Sequence, residues 1–104
     1  MQKLLTKAIL KKLAKYPLYS QENENNPMII CKFFNPCGSG TWYAMEFDGE
    51  DTFFGYAEIG QGFELGYFSL SELQSVKLRF GLRIERDIHF EPILFGDSDS
   101  NLEA

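Results

Sequence analysis

Histidine, tryptophan and cysteine are scarce in this chain: 104 residues hold one His, one Trp and two Cys. Cys31, Cys37 and His89 supply at most three soft ligands, short of the four a structural zinc site takes, and Cys-x5-Cys is not a zinc-knuckle spacing. Two cysteines make no disulfide framework, so free thiols in a reducing compartment are expected. A Cys37–His89 nucleophile pair has no signature around either residue. The loop Gly38-Ser39-Gly40 is followed by Thr41-Trp42 rather than the Lys and Ser/Thr of a phosphate loop. Long apolar runs are missing too. None approaches the roughly 20 residues that cross a bilayer, and Lys7, Lys11 and Lys12 interrupt any signal-peptide centre at the start. These absences lead to the expectation of a cytoplasmic protein without membrane, metal or cofactor, and without enzymatic activity.

One sign of charge is also missing, locally. No basic residue lies between Lys32 and Lys77, whereas Glu46, Asp48, Glu50, Asp51, Glu58, Glu64 and Glu72 all fall there. The first sixteen residues show the reverse, with Lys3, Lys7, Lys11, Lys12 and Lys15 and no acid. A net charge of −5 argues against general nucleic-acid binding, which needs a basic surface to release counterions. The pattern is a basic helix attached to an acidic sheet.

What is present is ordinary globular material, 44% hydrophobic and 15% aromatic. Leu4, Leu5, Ala8, Ile9, Leu13 and Tyr16 recur at helical spacing, with Lys3, Lys7, Lys11 and Lys15 as an i, i+4 stripe on another face. The helix is expected to start near Lys3 or at Thr6 and to be stopped by Pro17. After the polar loop Ser20 to Pro27, Met28 to Phe34 reads as one strand. Thr41 to Asp48 reads as a second, with Tyr43, Met45 and Phe47 on one face and Trp42, Ala44, Glu46 and Asp48 on the other. Asp48-Gly49 signals a hairpin. Return strands are expected over Thr52 to Ile59 and Phe63 to Phe68, and Gly55 and Gly66 inside them signal a bulge or a close approach. Ser69-Leu70-Ser71-Glu72 is a capping box, with Glu72 reaching back to the N–H of Ser69, ahead of a helix of about two turns. A last strand is expected from Leu82 to Phe90. The fold class is α+β: a curved antiparallel sheet of about five strands, packed by an N-terminal amphipathic helix and one short helix. Residues 1–95 form a single domain and 96–104 a flexible acidic tail.

Three sets of candidate functional residues follow. The acidic, aromatic sheet offers a protein-binding surface made of Trp42, Glu46, Asp48, Glu50, Asp51, Phe54, Tyr56 and Glu58, with rings as anchors and carboxylates as the electrostatic term. The alternative is nucleic-acid binding by the stripe Lys3, Lys7, Lys11 and Lys15, with Lys77, Arg79 and Arg83 as a second patch. Arg86 interrupts an apolar face, and a guanidinium there requires a partner. An internal ion pair with Glu46, Glu58 or Glu64 is expected, Glu64 being the chosen residue. Oligomeric state is left open.

The segments Leu18-Tyr19-Ser20-Gln21-Glu22, Lys32-Phe33-Phe34, Thr41-Trp42-Tyr43, Phe53-Phe54-Gly55, Glu64-Leu65-Gly66-Tyr67-Phe68-Ser69-Leu70-Ser71-Glu72-Leu73 and Gly81-Leu82-Arg83-Ile84-Glu85-Arg86-Asp87 occur in order. This set resembles a DUF2958-like family of small bacterial proteins of unknown function, from about Lys3 to Pro92. The resemblance implies a mobile-element setting: plasmids, conjugative elements and phages, with some relatives fused to DNA-modification or helicase modules. It supplies no catalytic residues. Together with the charge pattern it implies a small binding protein that acts on a host or element-encoded DNA-handling or defence protein, as an anti-defence inhibitor for example.

Overall fold

In the computed structural model, which describes residues 3–60 and 62–98, the first regular element is set by a threonine. The Thr6 hydroxyl accepts the N–H of Ile9 at 3.3 Å, and the helix α1 runs over Lys7–Leu13. It is shorter than its apolar period, because Leu4 and Leu5 are buried as a non-helical lead-in before the cap. It also ends four residues before Pro17: Lys15 and Tyr16 donate to the Lys12 and Leu13 carbonyls in a tightened last turn.

Seven strands follow: β1 Met28–Ile29, β2 Cys31–Phe34, β3 Thr41–Phe47, β4 Thr52–Glu58, β5 Glu64–Ser69, β6 Glu85–Arg86 and β7 Ile93–Leu94. The main sheet has five antiparallel strands in the order β5-β4-β3-β2-β6. The single strand expected over Met28 to Phe34 is divided at Ile30, so that β1 pairs with β7 and β2 joins the main sheet. The strand expected over Leu82 to Phe90 is regular only over Glu85–Arg86, with the Asp87 N–H donating to the Lys32 carbonyl of β2 at 2.9 Å just beyond it.

A short helix α2, Leu70–Ser75, completes the set. Ser69 caps it by accepting the Glu72 N–H at 3.0 Å, as expected. The Glu72 carboxylate, however, accepts from the Ser69 hydroxyl at 2.9 Å rather than from its backbone. The β3–β4 hairpin is tied to the same helix start, because the Asp51 carboxylate accepts both the N–H and the hydroxyl of Ser71 at 2.8 Å.

Both helices pack on one face of the sheet, here the helix face. Phe53 is the hub of the core: it stacks on Phe47 at 4.4 Å and on Phe68 at 5.1 Å, and meets Phe33 edge-on at 5.5 Å. Leu4, Leu5, Leu13, Leu73 and Ile84 close over these rings. Gly55 lies beneath them for a steric reason, since a Cβ there would overlap the Tyr43 carbonyl oxygen on β3. The second face, here the loop face, holds a smaller cluster of Ile29, Tyr43 and Met45, packed by Tyr56, Phe63, Phe90, Ile93 and Phe95.

A β-bulge in β3 decides which side chains reach which face. Ala44 pairs with Gly55 and Glu46 with Phe54, so Met45 is the extra residue. The alternation expected for this strand is therefore broken at Met45. Phe47 joins Ala44 and Trp42 at the helix-face core, and Glu46 joins Met45 on the loop face. At the far end, the 3-10 turn Phe95–Ser98 occupies the first residues of the expected tail, with the Gly96 N–H bonded to the Asn26 side chain at 2.6 Å. Regular structure thus passes the expected boundary at residue 95, and the rest of that tail lies outside the described residues.

Candidate functional site

The loop after α1 crosses the loop face and is fastened there by two buried polar side chains. Glu46 accepts the Tyr19 N–H on one carboxylate oxygen and the Gln21 N–H on the other, each at 2.8 Å. Gln21 in turn donates to the carbonyls of Met28 and Met45 at 2.9 Å and accepts the Met28 N–H at 2.6 Å. The bulge removes Met45 from the strand ladder, and Gln21 satisfies its carbonyl. Every buried side-chain polar atom among the described residues has a partner.

This fastening holds Tyr19 in an unusual backbone conformation, φ 71°. The left-handed region is costly for a residue with a large side chain and persists where the surroundings over-determine it. The outcome is a tyrosine ring presented outward, 61% exposed, beside Leu65 at 54% and Tyr67 at 57% on β5. Between the loop and the sheet lies a groove of about 350 Å³. Its rings are Tyr19, Phe54, Tyr56, Tyr67 and Phe95, its carboxylates Glu22, Glu24 and Glu46, and among the described residues no basic one lines it. Phe54 meets Tyr67 at 4.9 Å, tilted by 60°, and Tyr56 stacks on Phe95 at 4.8 Å.

The electrostatics are negative throughout. The Tyr67 phenol is pushed above its usual pKa, first by the neighbouring Tyr19 hydroxyl, then by lost hydration, then by the charges around it, those of Glu46 and Glu22 among them. Rings and carboxylates in this arrangement provide apolar contact, cation–π attraction and ion pairing. A second groove of about 370 Å³ flanks β5 on the helix face. Trp42, Leu65, Phe68 and Val76 line it, with Glu64 and Glu72 as the charged side chains among the described residues.

The chain matches the family model "Protein of unknown function (DUF2958)" over residues 4–95. It belongs to the DUF2958 family. The matched span of this DUF2958 protein runs from Leu4, the first buried residue of the lead-in, to Phe95, the ring stacked on Tyr56. No curated protein and no solved structure matches the chain.

The surface expected from the sequence is divided by the fold. Phe54, Tyr56 and Glu46 line the groove, but Trp42 packs against the helix-face core and lines the second groove. Glu46 is 3% exposed and occupied with backbone amides, so it positions the loop rather than meeting a partner. Asp48 is occupied as well, its Oδ1 accepting the N–H groups of Glu50, Asp51 and Thr52. Asp51 holds Ser71. Glu50 is exposed on the hairpin, and Glu58 is half-buried near Tyr43, whose phenol is raised by burial and then by Glu58 and Asp87. Tyr19, Glu22, Leu65 and Phe95 were not among the residues picked out by pattern. Tyr19, Glu22 and Leu65 lie in the segments that carry the family resemblance, which was the sequence signal toward them, and Phe95 had none.

The expected Arg86–Glu64 pair does not form. Arg86 is on β6 and Glu64 on β5, the two opposite edges of the sheet, four strand spacings or about 19 Å apart. Arg86 instead donates to the Lys3 and Leu4 carbonyls at 3.2 and 3.1 Å, so the lead-in supplies acceptors. The lysine stripe is shortened too. Lys7 and Lys11 share α1, Lys3 precedes its cap and Lys15 follows it. Of the second patch, Arg83 is bonded to the Gln74 carbonyl. Among the described residues no three His, Cys, Asp or Glu side chains are placed to hold a metal, and no helix is long and apolar enough to cross a membrane.

Proposed function

We propose that this DUF2958 protein is a small non-enzymatic binding protein of a mobile genetic element. It acts on a host or element-encoded DNA-handling or defence protein through the loop face of its sheet, in the manner of an anti-defence inhibitor. The mobile-element setting is what the family resemblance implies. The observation that carries the binding surface is the groove itself. Exposed rings on a rigid sheet and a strained loop stand over a cleft whose charges are all negative. Interface anchors are typically aromatic, and single-sign charge steers a complementary partner.

The test is affinity capture with the tagged chain from nuclease-treated host extract, beside a variant carrying Tyr19→Ala and Tyr67→Ala whose fold is verified by circular dichroism. The expected result is a nuclease-resistant protein that the wild type holds, that the variant loses, and that binds again when purified. A ligand that disappears with nuclease moves the function to nucleic acid. A partner held equally by the variant places binding elsewhere on the molecule.

A further inference from the structure

The outer edge of β5 has no strand paired to it among the described residues. Its parity can be worked out from two bonds. The Leu70 N–H donates to the Asp51 carbonyl, and the β4–β5 register pairs Thr52 with Ser69 and Phe53 with Phe68. Antiparallel pairs alternate between hydrogen-bonded and non-hydrogen-bonded. Phe68, Gly66 and Glu64 therefore bond inward to β4, while the N–H and C=O groups of Leu65 and Tyr67 point away from the sheet. The Asp48 N–H bond to the Thr52 carbonyl sets the same parity from the β3 side.

Edge strands normally carry lysine, proline or a bulge that discourages pairing. Glu64–Ser69 carries none of these and exposes Leu65 and Tyr67, the two residues whose backbone groups face outward. A strand laid along this edge would send alternate side chains toward the loop-face groove and toward the second groove on the helix face. Among the described residues both grooves hold carboxylates and no cationic side chain. That charge decides between occupants. A second copy of this chain would bring like carboxylates together, which is unfavourable, whereas a basic segment is complementary.

We infer that the partner adds an extended, lysine- or arginine-bearing segment as a sixth strand on β5, bonded to the backbone of Leu65 and Tyr67, with a basic side chain seated among Tyr19, Tyr67 and Glu22. This rests on the loop-face groove being the binding surface and adds the mode and chemistry of binding. The main-chain bonds supply affinity, and the two flanking grooves supply the choice of side chain.

The test is a titration of the isotope-labelled full chain with an acetylated peptide of alternating lysine or arginine and valine, followed by amide shifts and amide exchange. A peptide with glutamate at the basic positions is the control. The expected result is shifts at Tyr19 and Tyr67 with slowed exchange of the Leu65 and Tyr67 amides for the basic peptide alone. Proline is tolerated where an edge N–H faces solvent, so Leu65→Pro removes the docking donor without an inward bond. It should bind about tenfold more weakly than Leu65→Ala. Groove shifts without amide protection, or equal binding by the two variants, overturn strand addition and leave the groove standing. No shift on the loop face overturns both. Concentration-dependent broadening at β5 without peptide assigns the edge to a second copy and also overturns the inference.

Discussion

Exchanging one oxygen of Glu46 for an amide nitrogen tests how the groove is held. In Glu46→Gln the side chain keeps its size, and one oxygen still accepts either the Tyr19 or the Gln21 N–H. The new NH2 then faces the other N–H, donor against donor, at a site 3% exposed. A charge-assisted bond is lost and a buried donor is left unsatisfied, which together cost about 2–4 kcal/mol. A domain of this size has a total stability of about 5–15 kcal/mol, and each kcal/mol moves its midpoint by about 4–8 °C. Thermal denaturation followed by circular dichroism should therefore show a midpoint lower by roughly 8–32 °C. Glu50→Gln, an exposed hairpin position, serves as control and should remain within about 0.5 kcal/mol of wild type. Amide exchange should also accelerate at Tyr19 and Gln21 before the rest of the sheet. A Glu46→Gln midpoint within about 3 °C of the control, a shift worth under 1 kcal/mol, would refute the claim that this carboxylate fastens the loop.

Glycine contacts give a paired test: Gly55→Ala forces a Cβ onto the Tyr43 carbonyl and should cost about 3 kcal/mol or more. Gly66→Ala meets nothing within 4 Å and should fall well below that cost by urea denaturation; comparable losses would contradict the close approach. Acid sensitivity should trace in part to Asp48, whose carboxyl is held below its ordinary 3.8 by the amides of Glu50, Asp51 and Thr52. Such a group stabilises the fold above its unfolded pKa and loses that contribution as pH falls through the folded value. Asp48→Asn keeps the acceptor but not the charge, so the urea midpoint should fall less steeply below about pH 4, and an unchanged acid limb would exclude Asp48 as a source. Thiol titration should find only Cys37 reactive in the native protein. Cys31 is 2% exposed and burial pushes its thiol up to about 12, against a smaller lowering by Arg86, so two fast native thiols would contradict this burial.

Local chemistry was legible where it acts between sequence neighbours. Thr6, Asp48-Gly49 and Ser69 each satisfy backbone groups within four residues, so the cap, the hairpin and the second helix could be placed from pattern. The antiparallel five-strand sheet followed from the same turns. What escaped depended on a partner distant in the chain. The bulge at Met45 exists only opposite β4, and it moved Glu46 from an expected outer surface to a buried anchor for a loop 25 to 27 residues earlier. Arg86 was correctly read as needing a partner, but a search among carboxylates could not find backbone carbonyls 82 and 83 residues away. Tyr19 carries no local mark of a left-handed conformation, because that conformation is imposed by Glu46. The groove is thus half visible in sequence: its β4 rings Phe54 and Tyr56 were among the expected surface residues, and Tyr67 and the loop wall were not.

The central claim, that the loop face of the sheet is where this DUF2958 protein meets its partner, is tested most directly by hydrogen exchange with mass spectrometry on the chain alone and with the purified captured partner. The account predicts added protection in the peptides covering Tyr19 to Glu22 and Glu64 to Ser69, with α1 and residues 77–83 unchanged. Protection confined to α1 or to residues 77–83, with the groove peptides exchanging as in the free chain, would contradict it.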